Sequence, residues 1–98
     1  MKIIIELKET NTRYPRLLKN LDDRPKTIYA LGNIENLNNK SIAIIGSREC
    51  TSYGKKMAQL ISYFYAKRGY VIVSGLAKGI DSSAHLGALL ANGKTIAV

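Results

Sequence analysis

The sequence predicts an α/β fold in which a parallel sheet is built from strands alternating with helices. Three observations carry this. Ser41-Ile-Ala-Ile-Ile-Gly46 and Val71-Ile-Val73 are short β-branched runs without polar alternation, as expected of strands covered on both faces. Each run leads into a glycine-bearing loop, and each loop leads directly into apolar residues at helical spacing. A third run, Lys94-Thr-Ile-Ala-Val98, follows Asn92-Gly93. Strand, helix, strand, helix, strand with short connections makes right-handed crossovers and a Rossmann-like three-layer βαβαβ arrangement the expected topology. The pattern stops inside the third strand of a sheet that normally continues, so the core reads as truncated there.

Residues 1–40 form a lead-in, expected to pack on the same domain as the Rossmann-like part over 41–98. Residues 1–7 alternate weakly and read as a short strand. Pro15 suits the first position of a short helix over 16–21, which Asp22-Asp-Arg-Pro25 stops. Thr27-Ile-Tyr-Ala-Leu31 reads as a strand ended by Gly32-Asn33, and residues 34–40 as a connector.

In the first long helix, Tyr53, Met57, Leu60, Ile61 and Phe64 follow the spacing of one buried stripe, with Lys55, Lys56, Gln59 and Ser62 facing away. Lys67-Arg68 suit its last turn and Gly69 its C′ position. The second helix, over about 81–91, opens on Asp81-Ser82-Ser83, side chains suited to capping. Its face of Ile80, Ala84, Gly87, Ala88 and Ala91 is small enough to lie close against the sheet.

Ninety-eight residues suffice for one small core, which buries roughly 60–70% of the unfolded surface. No apolar run approaches the ~20 residues of a membrane span, and Met1-Lys-Ile-Ile-Ile-Glu-Leu7 is too short and too soon charged for a signal peptide. A lone cysteine, Cys50, has no disulfide partner or metal-knuckle neighbour, which points to a reducing, cytoplasmic compartment.

The net charge of +8 suggests an anionic partner, although lysines also simply solubilise a surface. Residues 41–98 hold seven basic side chains and only two acids, Glu49 and Asp81, both in or beside the two loops. Gly75-x-x-x-Gly79 between a strand and a helix start lets backbone N–H groups approach a phosphate, and Lys78 adds a cation. Gly46-Ser47-Arg48 ends the preceding strand in the same way. Both loops are expected at the carboxyl ends of parallel strands, where such sheets bind ligands.

Other motifs weigh less. The glycine spacing is not that of the dinucleotide fingerprint, and Gly93-Lys94-Thr95 leads from helix to strand, the reverse of a P-loop. Asp81 reads first as a helix cap and second as an acceptor for a base or ribose. His85 has no partner at catalytic or metal spacing and reads as structural; Cys50 is assigned no chemistry. Tyr53 is the candidate for stacking on a base. No catalytic residue, metal or cofactor is assigned.

These residues carry a resemblance. Tyr14-Pro15, Tyr29-Ala-Leu-Gly32, Ile44-Ile-Gly-Ser-Arg48 with Thr51-x-Tyr-Gly54, and Val73-Ser-Gly-Leu-Ala-Lys-Gly-Ile-Asp81 with Ala84-His85 resemble the DNA-processing protein A (DprA, or Smf) family from about residue 13 onward. The resemblance implies a Rossmann-like domain that binds single-stranded DNA and loads RecA recombinase in natural transformation, without catalytic turnover. Carried over by position, the DNA pocket involves Gly46, Ser47, Arg48, Gly75, Lys78, Gly79 and Asp81. The family's later strands, which complete the pocket and serve self-association and RecA contacts, lie outside these residues. The alternative is a nucleotide-ligand binding or nucleotide-cleaving protein of a related fold; the P-G-G-x-G-T motif of the cleaving enzymes does not occur here.

Overall fold

The β-branched runs form strands, and the two helical patterns form helices between them. A computed structural model describes residues 3–98. They divide into two compact units, one ending at Asn39 and one comprising Lys40–Val98.

In the first unit, β1 (Ile4–Lys8) pairs antiparallel with β2 (Thr27–Leu31), from Ile4 opposite Leu31 to Lys8 opposite Thr27. Leu7, Tyr14 and Ile34 are its buried core, with Ile5, Leu18, Ile28, Ala30 and Leu37 packed around them. Tyr14 is fully buried, and its hydroxyl donates to the Pro25 carbonyl at 2.6 Å, so the ring fills the core while its polar tip is satisfied.

The helix expected over 16–21 shrinks to one 3₁₀ turn, Leu18–Asn20. Side-chain bonds explain the tight entry. Arg16 N–H donates to Asn38 Oδ1 at 2.8 Å, and Asn38 Nδ2 donates to the carbonyls of Arg13 and Tyr14. The expected connector holds a second 3₁₀ helix, Ile34–Asn38, capped by Asn33, whose side chain accepts from Glu35 N–H.

The second unit runs β3 (Ser41–Ala43), α1 (Ser52–Lys67), β4 (Val71–Ser74), α2 (Ile80–Leu90) and β5 (Lys94–Ala97). The strands are parallel in the order β3-β4-β5, with Ile42 beside Ile72 and Ile72 beside Thr95. This is the predicted α/β topology. Ladder pairing in β3 ends at Ala43, although Ile44 N–H still donates to the Val73 carbonyl at 3.0 Å.

Both helices pack on β4 and on each other, around a core of Ala66, Ile72, Ala84, Ala88 and Ala91. They therefore share one face of the sheet.

The small face of α2 is buried as expected. The buried face of α1 is not the expected one. Ala58, Ser62 and Ala66 point inward, whereas Tyr53, Leu60 and Phe64 are 72%, 54% and 47% exposed. The close approach of α2 decides this. A Cβ on Gly87 would run into the Gln59 carbonyl and come within 2.9 Å of Ser62 Cβ. Ser62 Oγ donates to the Ala84 carbonyl across the same contact. Between helices this close only Ala, Ser and Gly fit, and the bulky stripe is turned outward.

Candidate nucleic-acid interface

Two loops leave the carboxyl ends of neighbouring parallel strands. The first, residues 44–51, joins β3 to α1; the second, residues 75–79, joins β4 to α2. Thr51 caps α1, its side chain accepting from Gly54 N–H at 3.0 Å. Ser47 Oγ accepts from Glu49 N–H at 3.1 Å and so folds the first loop on itself. Ser82 Oγ donates to the Ala77 carbonyl at 2.8 Å and closes the second.

The loops touch at a glycine. Gly79 is buried with φ +82° and ψ −122°, and a Cβ there would lie 2.7 Å from the carbonyl oxygens of both Ser47 and Arg48 and 3.1 Å from Cys50 Sγ. Gly46 makes the reciprocal approach: its Cβ would lie 2.6 Å from the Ile80 side chain. The convergence expected from the sequence is therefore present in the backbone. Lys78 directly precedes the residue that rests on Arg48.

Arg48 and Lys78 are exposed, and among the described residues neither side chain is held in an ion pair or a hydrogen bond. Two uncommitted cations flank a seam of glycine backbone at the N-terminus of an 11-residue helix. That combination attracts anions through fixed N–H dipoles and mobile charge together.

Asp81 does not cap the helix as expected. Gly79 occupies the N-cap without a side-chain bond, and Asp81 lies in the first turn, 8% exposed. Its Oδ2 lies where it would be 2.6 Å from a Cβ on Gly75, so a side chain there would displace the carboxylate. Its Oδ1 is buried without a hydrogen-bond partner.

His85, read from the sequence as structural, has two partners, one of which, Thr95, the sequence did not single out. One ring nitrogen, Nε2, lies 2.7 Å from the Gly75 carbonyl, and the other, Nδ1, lies 2.6 Å from Thr95 Oγ1. The available signal was the position of His85 one helical turn after Asp81, on the face that meets the second loop. Tyr53 is exposed at the start of α1. No cluster of three His, Cys, Asp or Glu side chains suited to a metal exists among the described residues. A cavity of about 220 Å³, lined by residues including Tyr70, Asn92 and Lys94, opens at the other end of the strands, away from the two loops.

A parallel sheet with helices returning on one face, and two glycine loops meeting at the carboxyl ends of its strands, defines a Rossmann-like α/β domain. Within that class, the chain belongs to the DNA recombination-mediator protein A family, whose model matches residues 6–98. It is 38% identical over 90 residues to DNA processing protein DprA of Bacillus subtilis, covering 91% of this chain and 30% of that protein. It is 40% identical over 89 residues to protein Smf of Synechocystis, covering 87% of this chain and 22% of the relative. The chain thus spans well under half the length of the curated relatives it matches.

Solved structures agree. DprA from Streptococcus pneumoniae superposes with a TM-score of 0.88 at 38% identity, over 97% of this chain and 33% of that one. DprA from Helicobacter pylori, a single-stranded DNA-binding protein, superposes with a TM-score of 0.81 at 36% identity, over 96% of this chain and 41% of that one.

Proposed function

We propose that this chain carries a single-stranded DNA-binding site of the DprA type, formed by the two loops, and acts by binding without chemical turnover. The observation that carries it is the Gly79 contact, which sets Arg48 and Lys78 on adjoining backbone with their charges uncommitted. Gly46, Gly75 and Gly79 give the strand close access to backbone, Ser47 shapes the first loop, and Arg48 and Lys78 contact phosphates. Asp81 secures the form of the second loop from behind. The +8 charge of the chain favours the encounter with a polyanion.

Membership of a recombination-mediator family supports a role in DNA uptake and recombination in the cytoplasm, with RecA recombinase as the partner receiving the strand. Self-association belongs to the same proposal.

The test is a fluorescence titration against single-stranded DNA over a range of salt, beside a mononucleotide. Neutralising three or four phosphates gives a slope of log affinity on log salt of roughly −2 to −3. A flat salt response, equal affinity for the mononucleotide, or release of free base would overturn the reading.

A further inference from the structure

We propose that His85 is a positioning residue, held as an imidazolium between Gly75 and Thr95, that fixes the second loop for the anionic strand. Its functional half rests on the single-stranded DNA reading; its protonation half rests on hydrogen-bond geometry alone.

The Gly75 carbonyl only accepts, so Nε2 at 2.7 Å carries a proton. Thr95 has one hydroxyl proton and donates it to the Ile72 carbonyl at 2.9 Å, which also only accepts. Its oxygen therefore accepts from Nδ1 at 2.6 Å, and Nδ1 carries a proton as well. With both nitrogens donating, the ring is cationic. In the neutral ring one of the three bonds is lost.

The surroundings fit this charge. Asp81 lies one turn earlier on the same helix, buried against Gly75 with Oδ1 lacking any hydrogen-bond partner. A carboxylate so placed costs free energy unless a nearby positive charge offsets it, and the imidazolium is one. The other titratable groups from the packed elements are Lys78 in the loop, Lys94 beside Thr95, Tyr65 of α1 in the shared core and Cys50 against Gly79. None of these is an anion that would compete with Asp81 for the ring.

The consequence is mechanical. β4 ends at Ser74, and Gly75 is the first residue of the loop. Pinning its carbonyl to α2 and, through Thr95, to β5 fixes where the loop starts, and so where the N–H groups of residues 76–79 point. Loop shape then depends on a side chain, whereas the glycines alone leave it free.

The test pairs a spectrum with a binding curve. Nitrogen-15 NMR of the wild-type imidazole at neutral pH is expected to show both ring nitrogens protonated; one unprotonated nitrogen would overturn the assignment. Thr95→Val removes the Nδ1 acceptor and is expected to convert the ring to a neutral tautomer. It should also move the amide resonances of Gly75 and Gly79 and weaken single-stranded DNA binding about tenfold, the worth of one charge-assisted bond. Thr95→Ser keeps the hydroxyl and is expected to restore ring, loop and affinity together. Wild-type affinity in Thr95→Val would overturn the positioning role. Wild-type protein that binds no single-stranded DNA, yet shows a doubly protonated ring, would remove the DNA reading and leave the protonation assignment standing.

Discussion

Replacing Gly79 by alanine separates two costs that the structure assigns to one residue. The first is conformational: φ is +82° with ψ −122°, outside even the left-handed helical region, so an L side chain is strained by at least about 1–2 kcal/mol. The second is steric, because the new Cβ would sit 2.7 Å from the carbonyl oxygens of Ser47 and Arg48, and both are backbone atoms that cannot rotate away. Forcing the first loop outward resembles overpacking a core, at about 1–3 kcal/mol. Gly69 is the control. Its φ is +89°, but nothing lies within 4 Å of its Cβ position, so Gly69→Ala carries the conformational cost alone. Urea unfolding of both variants is therefore expected to give a loss of about 1–2 kcal/mol for Gly69→Ala and about 2–5 kcal/mol for Gly79→Ala. The difference measures the contact between the loops. Gly79→Ala should also weaken single-stranded DNA binding, because Arg48 moves with the displaced carbonyl, whereas Gly69→Ala should leave it alone. Equal losses of stability, or unchanged binding in Gly79→Ala, would mean that the two loops do not meet as described.

The other predictions divide between the site and the fold. Arg48→Ala and Lys78→Ala should each weaken single-stranded DNA binding by about 1–2 kcal/mol, alike for all sequences, because phosphate contacts read no bases. Lys55→Ala and Lys56→Ala, exposed in the first turn of α1, should matter much less; equal losses in all four titrations would indicate a diffuse basic surface. On α1, Ala66→Leu should destabilise by about 1–3 kcal/mol and Leu60→Lys should stay within about 0.5 kcal/mol, a contrast that thermal unfolding reads directly.

How much of this was legible in the sequence depends on whether a local signal or a neighbour decides each feature. The strands were legible because β-branched runs bounded by glycine leave few alternatives; β2 matches its expected span, Thr27–Leu31. The order of elements and the inner face of α2 followed from pattern in the same way. The face of α1 did not. Its bulky stripe, from Tyr53 to Phe64, and its small stripe, Ala58, Ser62 and Ala66, both have helical spacing, so periodicity alone cannot choose between them. Gly87, on another helix, chooses. The short helix after Pro15 failed similarly, since the bonds from Asn38 come from 22 to 25 residues away in sequence. In the site, the glycine loops were visible and their contact was not, because no local pattern reports that Gly79 rests on the carbonyls of Ser47 and Arg48.

The placement of the acids beside a phosphate site follows from the same packing. An exposed carboxylate among Arg48, Lys78 and the helix N-terminus would repel a DNA strand. Asp81 avoids this by lying behind Gly75, buried, where the glycine backbone stands between its charge and the loop surface. The absence of a side chain at Gly75 leaves the room that the carboxylate occupies. Glu49 is the one exposed acid in either loop, and its own N–H donates to Ser47 Oγ. Its place in the turn is thereby fixed by backbone, and its carboxylate is exposed in the same loop as Arg48.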